Sequence, residues 1–166
     1  RLLIPVLQKL QAHYGDSLKV RVIADATVED NSIEIENIPW TAHDEVARLN
    51  EIDIGVMPLP DDEWSRGKCG FKGLQYMSVG IPAVMSPVGV NTEIIEHGKN
   101  GFLAADDQEW EHTLKQLIDD AVLRKQIGAA GRATIKNRYS IDANKEKYIR
   151  LFDAVVSTGK APTGKD

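Results

Sequence analysis

A basic, glycine-containing stretch, residues 66–73, holds the residue types best suited to chemistry in this chain. It reads Arg-Gly-Lys-Cys-Gly-Phe-Lys-Gly and leads into a predicted helix over residues 70–79. The first backbone N–H groups of a helix have no partner within it, and the helix N-terminus carries a partial positive charge. Because Arg66, Lys68 and Lys72 accompany these groups, the stretch predicts a binding site for a diphosphate.

The elements that must position this stretch alternate between strands and helices. Predicted strands cover residues 18–24, 32–38, 52–57, 83–85 and 102–103, and predicted helices cover residues 2–14, 42–50, 70–79, 92–96 and, in three or four pieces, 107–156. The alternation predicts an α/β fold, a Rossmann-like parallel sheet flanked by helices with a helical C-terminal tail. Ligands bind beyond the carboxyl ends of such strands, so we expect loops 58–69 and 86–91 to meet there.

The pattern also predicts where individual side chains lie. Thr41 is the predicted N-cap of the helix over residues 42–50, in which Val46 and Leu49 are expected to face inward. Three residues of the next helix are expected in the core: Phe71, Leu74 and Met77. Breaks in the C-terminal helical region are predicted near residues 119–120, 128–131 and 139–140.

Composition narrows the class of protein. The chain has 166 residues, which favours one domain over residues 1–156 followed by a flexible polar tail over residues 157–166. Its net charge of −5 disfavours a globally basic nucleic-acid-binding protein. Cys69 is the single cysteine, so an intrachain disulfide is excluded and a reducing, cytoplasmic location is expected. The four histidines lack metal-ligand spacing, and no run of apolar residues is long enough to span a membrane.

Residues 54–103 resemble the C-terminal, nucleotide-sugar-binding domain of the retaining GT-B glycosyltransferases of group 1. The matching segments, in the order and spacing of that family, are residues 53–58, 70–71, 75–84, 87–89, 93–95 and 98–103. The resemblance implies a domain that binds a nucleoside diphosphate sugar and stabilises the diphosphate when a hexosyl group is transferred. It implies no metal and no other cofactor.

The candidate site residues follow from this resemblance and from the charge of the loop. Arg66 and Lys72 are the candidate catalytic residues, because positioned cations stabilise the departing diphosphate. The candidate donor-binding residues are Lys68, Gly70, Phe71, Gln75, Trp40, Asn91 and Thr92. For three of them a structural role is the alternative: packing for Trp40, and helix capping for Asn91 and Thr92.

The chain departs from the family pattern in two ways. The family usually has two glutamates around the phosphate-binding turn, and the matching positions here are Gly67 and Gln75. The family's first strand, with a loop that supplies Arg and Lys to the diphosphate, is expected ahead of Arg1, as is the acceptor-binding domain. We therefore expect a truncated half-enzyme, inactive alone, whose acceptor and any membrane contact involve parts outside this sequence. The rival interpretation is a non-catalytic nucleotide- or phosphate-binding regulatory module of Rossmann or flavodoxin-like fold.

Overall fold

The structure, a computed structural model, describes residues 2–158. The α-helices are α1 (Ile4–Tyr14), α2 (Glu45–Leu49), α3 (Glu63–Arg66), α4 (Phe71–Ser78), α5 (Asn91–Ile94), α6 (Asp107–Asp119), α7 (Ala121–Thr134) and α8 (Ile141–Thr158). The strands are β1 (Val20–Ala24), β2 (Ile35–Pro39), β3 (Gly55–Met57), β4 (Ala83–Met85) and β5 (Phe102–Leu103). A 3₁₀ turn follows α1, and a π-helical segment joins α7 to α8.

All strand pairs in the described residues are parallel, as the alternation of strands and helices predicts. β1 pairs with β2 in a register that sets Val20 opposite Ile35. The second group has the order β3-β4-β5, with Val56 opposite Val84. Helices lie between β2 and β3, between β3 and β4, and between β4 and β5, whereas a loop joins β1 to β2. Helices also pack against β3, β4 and β5, so the predicted α/β class is confirmed.

Two apolar clusters pack the group β3-β4-β5 against the helices. The first joins α1, β4, β5, α6 and α7 and includes Val6, Leu10, Val84, Trp110 and Leu117, all buried. The second packs α4 and α5 against β3 and β4 and includes Met57, Met77, Met85, Ile94 and Ile95. Burying one such side chain stabilises the fold by about 1.5–3 kcal/mol. The second cluster therefore fixes α4 relative to the ends of β3 and β4.

The C-terminal helices are separated by capping residues. Asp106 accepts hydrogen bonds from the backbone of Gln108 and Glu109 at the start of α6. Asp120 accepts one from Leu123 at the start of α7, and its non-helical backbone makes the predicted break after α6. The predicted break at 139–140 is also present.

The break predicted at 128–131 is wrong, because α7 is continuous there. A Cβ added at Gly128 would lie under 3.0 Å from the carbonyl oxygen of Gly80. This glycine lets α7 approach the turn after α4, and close approach explains it better than a helix end does.

Three further expectations need correction. Val46 is 62% exposed, because α2 has little more than one turn and only Leu49 reaches the core. Phe71 is 56% exposed on the first turn of α4, whereas Met77 is buried as predicted. The loop after β3 contains α3, which the polar sequence did not predict.

The ends of several elements also differ from the prediction. Thr41 does not cap α2 itself; its side-chain oxygen accepts a hydrogen bond from the backbone of Asp44 in the preceding turn. α5 begins at Asn91, one residue before the predicted start. The first two residues of the predicted tail belong to α8, and residues 159–166 lie outside the described residues. None of the helices within residues 2–158 is long and apolar enough to cross a bilayer.

Candidate functional site

The loops that follow β3 and β4 lie side by side at the carboxyl ends of the strands. The backbone N–H of Leu59 donates to the hydroxyl of Ser86 at 2.9 Å, which ties one loop to the other. Gly89 lies against α3, where a Cβ would come 2.6 Å from the carbonyl oxygen of Arg66. The sequence correctly predicts that these two loops share one edge of the sheet.

The short helix α3 positions Arg66. Asp62 caps it by accepting a hydrogen bond from the backbone of Ser65 at 2.7 Å, and this bond lowers the pKa of Asp62. Arg66 ends the helix and donates from Nε to Asp61 at 2.7 Å. Both of these side chains are mostly exposed, so the guanidinium is paired within its own loop. Lys68 is exposed just after α3, where its charge also lowers the pKa of Asp62.

The N-terminus of α4 begins at Gly70, without a side-chain cap. Gly70 has φ +68°, and an added Cβ would lie under 3.0 Å from Cδ1 of Ile94 and 3.2 Å from Oδ1 of Asn91. The backbone angle and the packing against α5 therefore require glycine, whatever binds there. The N–H groups of the first turn, including those of Phe71 and Lys72, have no acceptor within the helix.

Glu45, on α2, gathers three of the predicted site residues. Nε1 of Trp40 donates to Oε1 of Glu45 at 2.9 Å, and Nζ of Lys72 lies 3.2 Å from the same oxygen. The bond from Trp40, followed by a bond from Gln75 and the contact with Lys72, lowers the pKa of Glu45. Sequence reasoning missed Glu45 as a site residue, because its partner Lys72 is 27 positions away and no motif links them.

Three predicted residues remain. Asn91 and Thr92 bind the backbone of their own loop, whereas Gln75 has an unpaired oxygen. Asn91 is buried, and its Nδ2 donates to the carbonyl of Ser86 at 2.9 Å. The hydroxyl of Thr92 donates to the carbonyl of Gly89 at 3.1 Å. These two bonds hold the loop after β4 in place. In contrast, Oε1 of Gln75 is buried and has no hydrogen-bond partner among residues 2–158, which leaves an unpaired acceptor beside Glu45.

The predicted cations are thus not gathered around one open point. Arg66 is bound to Asp61 in the loop after β3, whereas Lys72 is bound to Glu45 on α2. Ion pairs at the surface contribute little free energy. Lys72 and Arg66 can therefore each exchange their carboxylate partner for a phosphate oxygen. In the described part of the chain, no group of three or more His, Cys, Asp or Glu side chains is placed to hold a metal ion.

Comparison with known proteins identifies the family. The profile described as "Glycosyl transferases group 1" matches residues 2–120. The chain belongs to the group 1 glycosyltransferases. The resemblance found in the sequence is therefore confirmed.

Individual members of the family are distant in sequence. The D-inositol 3-phosphate glycosyltransferase of Pseudarthrobacter chlorophenolicus is 26% identical over 136 residues, which make up 81% of this chain and 30% of that protein. The C-terminal domain of the group 1 protein LpcC from Francisella tularensis has a TM-score of 0.54 and 25% identity, covering 64% of this chain and 54% of that one. The chain spans less than a third of the length of the curated relatives it matches.

A further solved structure is similar in fold alone. TarM of S. aureus, in a complex that contains UDP, has a TM-score of 0.70 and 19% identity. The alignment covers 91% of this chain and 32% of the TarM chain, so the helical C-terminal region is part of the shared fold.

Proposed function

We propose that the chain is the donor-binding domain of a retaining GT-B glycosyltransferase that uses a nucleoside diphosphate sugar. Negative charge grows on the β-phosphate as the bond to the sugar breaks. Positioned cations and helix N–H groups stabilise such charge, and this stabilisation is often the largest contribution to catalysis. The observation that carries the proposal is the uncapped N-terminus of α4 at the strand ends, with Lys72 on its first turn.

Each site residue has a role in this proposal. Lys72 and Arg66 leave Glu45 and Asp61 to bind phosphate oxygens, and Lys68 adds positive charge near the same helix end. Phe71 is exposed beside them and covers the donor. Oε1 of Gln75 is buried beside the Glu45 carboxylate, and it would accept from a hydroxyl of the donor once the side chain turns outward; Trp40 donates to the same carboxylate.

The proposal extends to parts of the reaction beyond this chain. The transferred group is a hexose, and the acceptor binds to an N-terminal domain, so residues 1–156 alone do not transfer sugar. The reaction takes place in the cytoplasm and needs neither a metal nor nucleic acid. Support comes from the family and from TarM, which binds UDP, together with the small share of its relatives that this chain spans.

The test is calorimetric titration of the chain with UDP. The variant Lys72→Met keeps the aliphatic stem but removes the charge, and should weaken binding about 5- to 150-fold, since a charge-assisted hydrogen bond contributes about 1–3 kcal/mol. Lys99→Met is the matched control, because Lys99 is also an exposed lysine paired with a glutamate, Glu96, but lies in the turn before β5. Equal loss in both variants would contradict a specific phosphate site.

A non-catalytic regulatory module is the second candidate. It is favoured by Gly67 and Gln75, which stand where the family usually has glutamates, and by the carboxylate partners of both proposed catalytic cations. A sugar-transfer assay on a protein that includes an acceptor domain separates the two candidates. Transfer that Lys72→Met abolishes supports the enzyme, whereas UDP binding without any transfer supports the module.

A further inference from the structure

Three glycines lie in the loops that follow β3 and β4, and the structure requires only two of them. Gly70 and Gly89 have a positive φ, and a Cβ at either would come under 3.0 Å from a neighbouring atom. Gly67 has a φ of −77°, which suits any residue. In the described part of the chain, the atoms nearest to a Cβ at this position are the carbonyl oxygens of Trp64 and Glu63, at 3.5 and 3.8 Å. Gly67 therefore leaves open space that a side chain could fill without strain.

The two residues beside Gly67 are cations in different states. Arg66 donates to the carboxylate of Asp61 at 2.7 Å. Lys68 is exposed, and its ammonium forms no hydrogen bond or ion pair with another group of residues 2–158; its charge acts only at a distance, on Asp62. Because a lysine ammonium has three donors, the open space at Gly67 is bordered by a cation that is available to a ligand.

The contacts around α4 indicate which end of the donor lies near this space. On one side of the helix start, Lys72 lies 3.2 Å from Glu45, to which the partly exposed indole of Trp40 also donates. An aromatic ring beside hydroxyl acceptors suits a nucleoside. On the other side, the loop after β4 lies against the backbone of Arg66. A diphosphate joins the nucleoside to the sugar, so a diphosphate at the start of α4 directs the sugar towards Gly67.

The charge of Lys68 distinguishes between kinds of sugar. In the proposed function, Lys72 and Arg66 bind the diphosphate, which leaves Lys68 for the group beyond it. A neutral sugar offers this ammonium only hydroxyl groups, whereas a carboxylate accepts a charge-assisted hydrogen bond, which is about twice as strong. The glutamate that the family usually has at position 67 would repel such a carboxylate, and Gly67 places no like charge beside it.

We propose that the sugar of the donor carries a carboxylate, which lies over Gly67 and is bound by Lys68. The substrate class is then a nucleoside diphosphate sugar whose hexose is oxidised to a uronic acid. This inference rests on the proposed function, since it requires a nucleoside diphosphate sugar at α4. It adds the charge of the sugar, which Gly67 and Lys68 select.

The test compares UDP, UDP-glucose and UDP-glucuronate by titration calorimetry with the chain of 166 residues, at one pH and one ionic strength. The two sugars differ only in that a carboxylate replaces one CH₂OH group. We expect UDP-glucuronate to bind about 10-fold more tightly than UDP-glucose, in line with one charge-assisted hydrogen bond. Lys68→Met should remove this preference, whereas Lys68→Arg, which keeps the charge, should retain it.

Two variants of Gly67 separate charge from bulk. The ordinary backbone angle and the open space accommodate both of them. Gly67→Glu should reverse the preference, in favour of UDP-glucose, because it places a carboxylate beside the carboxylate of the sugar. Gly67→Gln adds a side chain of the same size without the charge, so it should change both affinities by the same factor and keep the preference.

The outcomes separate this inference from the proposed function. Equal affinity for the two sugars in a chain that binds UDP would overturn the inference and leave the proposed function in place. If the chain did not bind UDP, both would fall. UTP carries its additional charge on the phosphate chain. A gain in affinity for UTP over UDP that Lys68→Met removes would assign Lys68 to the phosphates and overturn the inference as well.

Discussion

Replacing Gly70 with alanine tests how the N-terminus of α4 is held. The left-handed backbone, at φ +68°, costs an L-residue about 1–2 kcal/mol. The added Cβ would lie under 3.0 Å from Cδ1 of buried Ile94, and such overpacking costs about 1–3 kcal/mol. Alanine also restricts the unfolded chain, which offsets about 0.4–1 kcal/mol. We expect Gly70→Ala to lower the free energy of unfolding by about 3 kcal/mol.

Two matched variants separate the contributions. Gly98 also has a positive φ, +76°, but no atom of the described part of the chain lies within 4 Å of its added Cβ, its own neighbours aside. Gly98→Ala should therefore show the backbone cost alone, about 1 kcal/mol after the unfolded-state offset. Ile94→Val removes the Cδ1 atom that the new methyl group would meet. The double variant of Gly70 and Ile94 should therefore be about 1–2 kcal/mol more stable than the sum of the single changes.

Urea unfolding, followed by far-ultraviolet circular dichroism, measures all four variants, and equal slopes would show that only stability has changed. Additivity of the Gly70 and Ile94 changes within about 0.5 kcal/mol would refute packing against α5 as the reason for this glycine. If Gly70→Ala kept full stability but lost affinity for UDP, close approach of a phosphate would be the reason instead.

Three further outcomes follow from the contacts. Gly128→Ala should lower the free energy of unfolding in urea by about 1–3 kcal/mol despite alanine's better helix propensity, because its Cβ meets the backbone of Gly80. The pKa of Glu45 is lowered below 4.5, so its contribution to stability is present above that pH and is lost on acidification; urea midpoints of wild type and Glu45→Gln should differ at neutral pH and converge in acid. Burial raises the pKa of Tyr76 above 10.0, so its contribution is present below pH 10.0 and is lost as the pH rises through the raised value; the pKa of Tyr14 is raised as well, so ultraviolet titration should show two tyrosines ionising late, of which Tyr76→Phe removes one.

The parallel strands could be predicted because burial in an α/β sheet leaves a local pattern. The segment Leu18–Ala24 alternates and then becomes wholly apolar, and β1 lies within it. The break predicted within α7 is wrong for a related reason. In the sequence, Gly128 and Gly131 resemble a helix break. In the structure, they allow α7 to lie against the backbone of Gly80 and Asn100 and against the side chain of Met77. A glycine that serves a distant contact has no local signature.

In the candidate site, too, features encoded by one local stretch of sequence could be predicted, whereas contacts between distant residues could not. The helix start at Gly70 could be predicted, since one continuous stretch encodes the loop, the glycine and the helix. The ion pair between Lys72 and Glu45 could not, because it depends on how α2 packs beside α4. The apolar type of Phe71 predicts a place in the core, but its position on the first turn of α4 leaves it exposed.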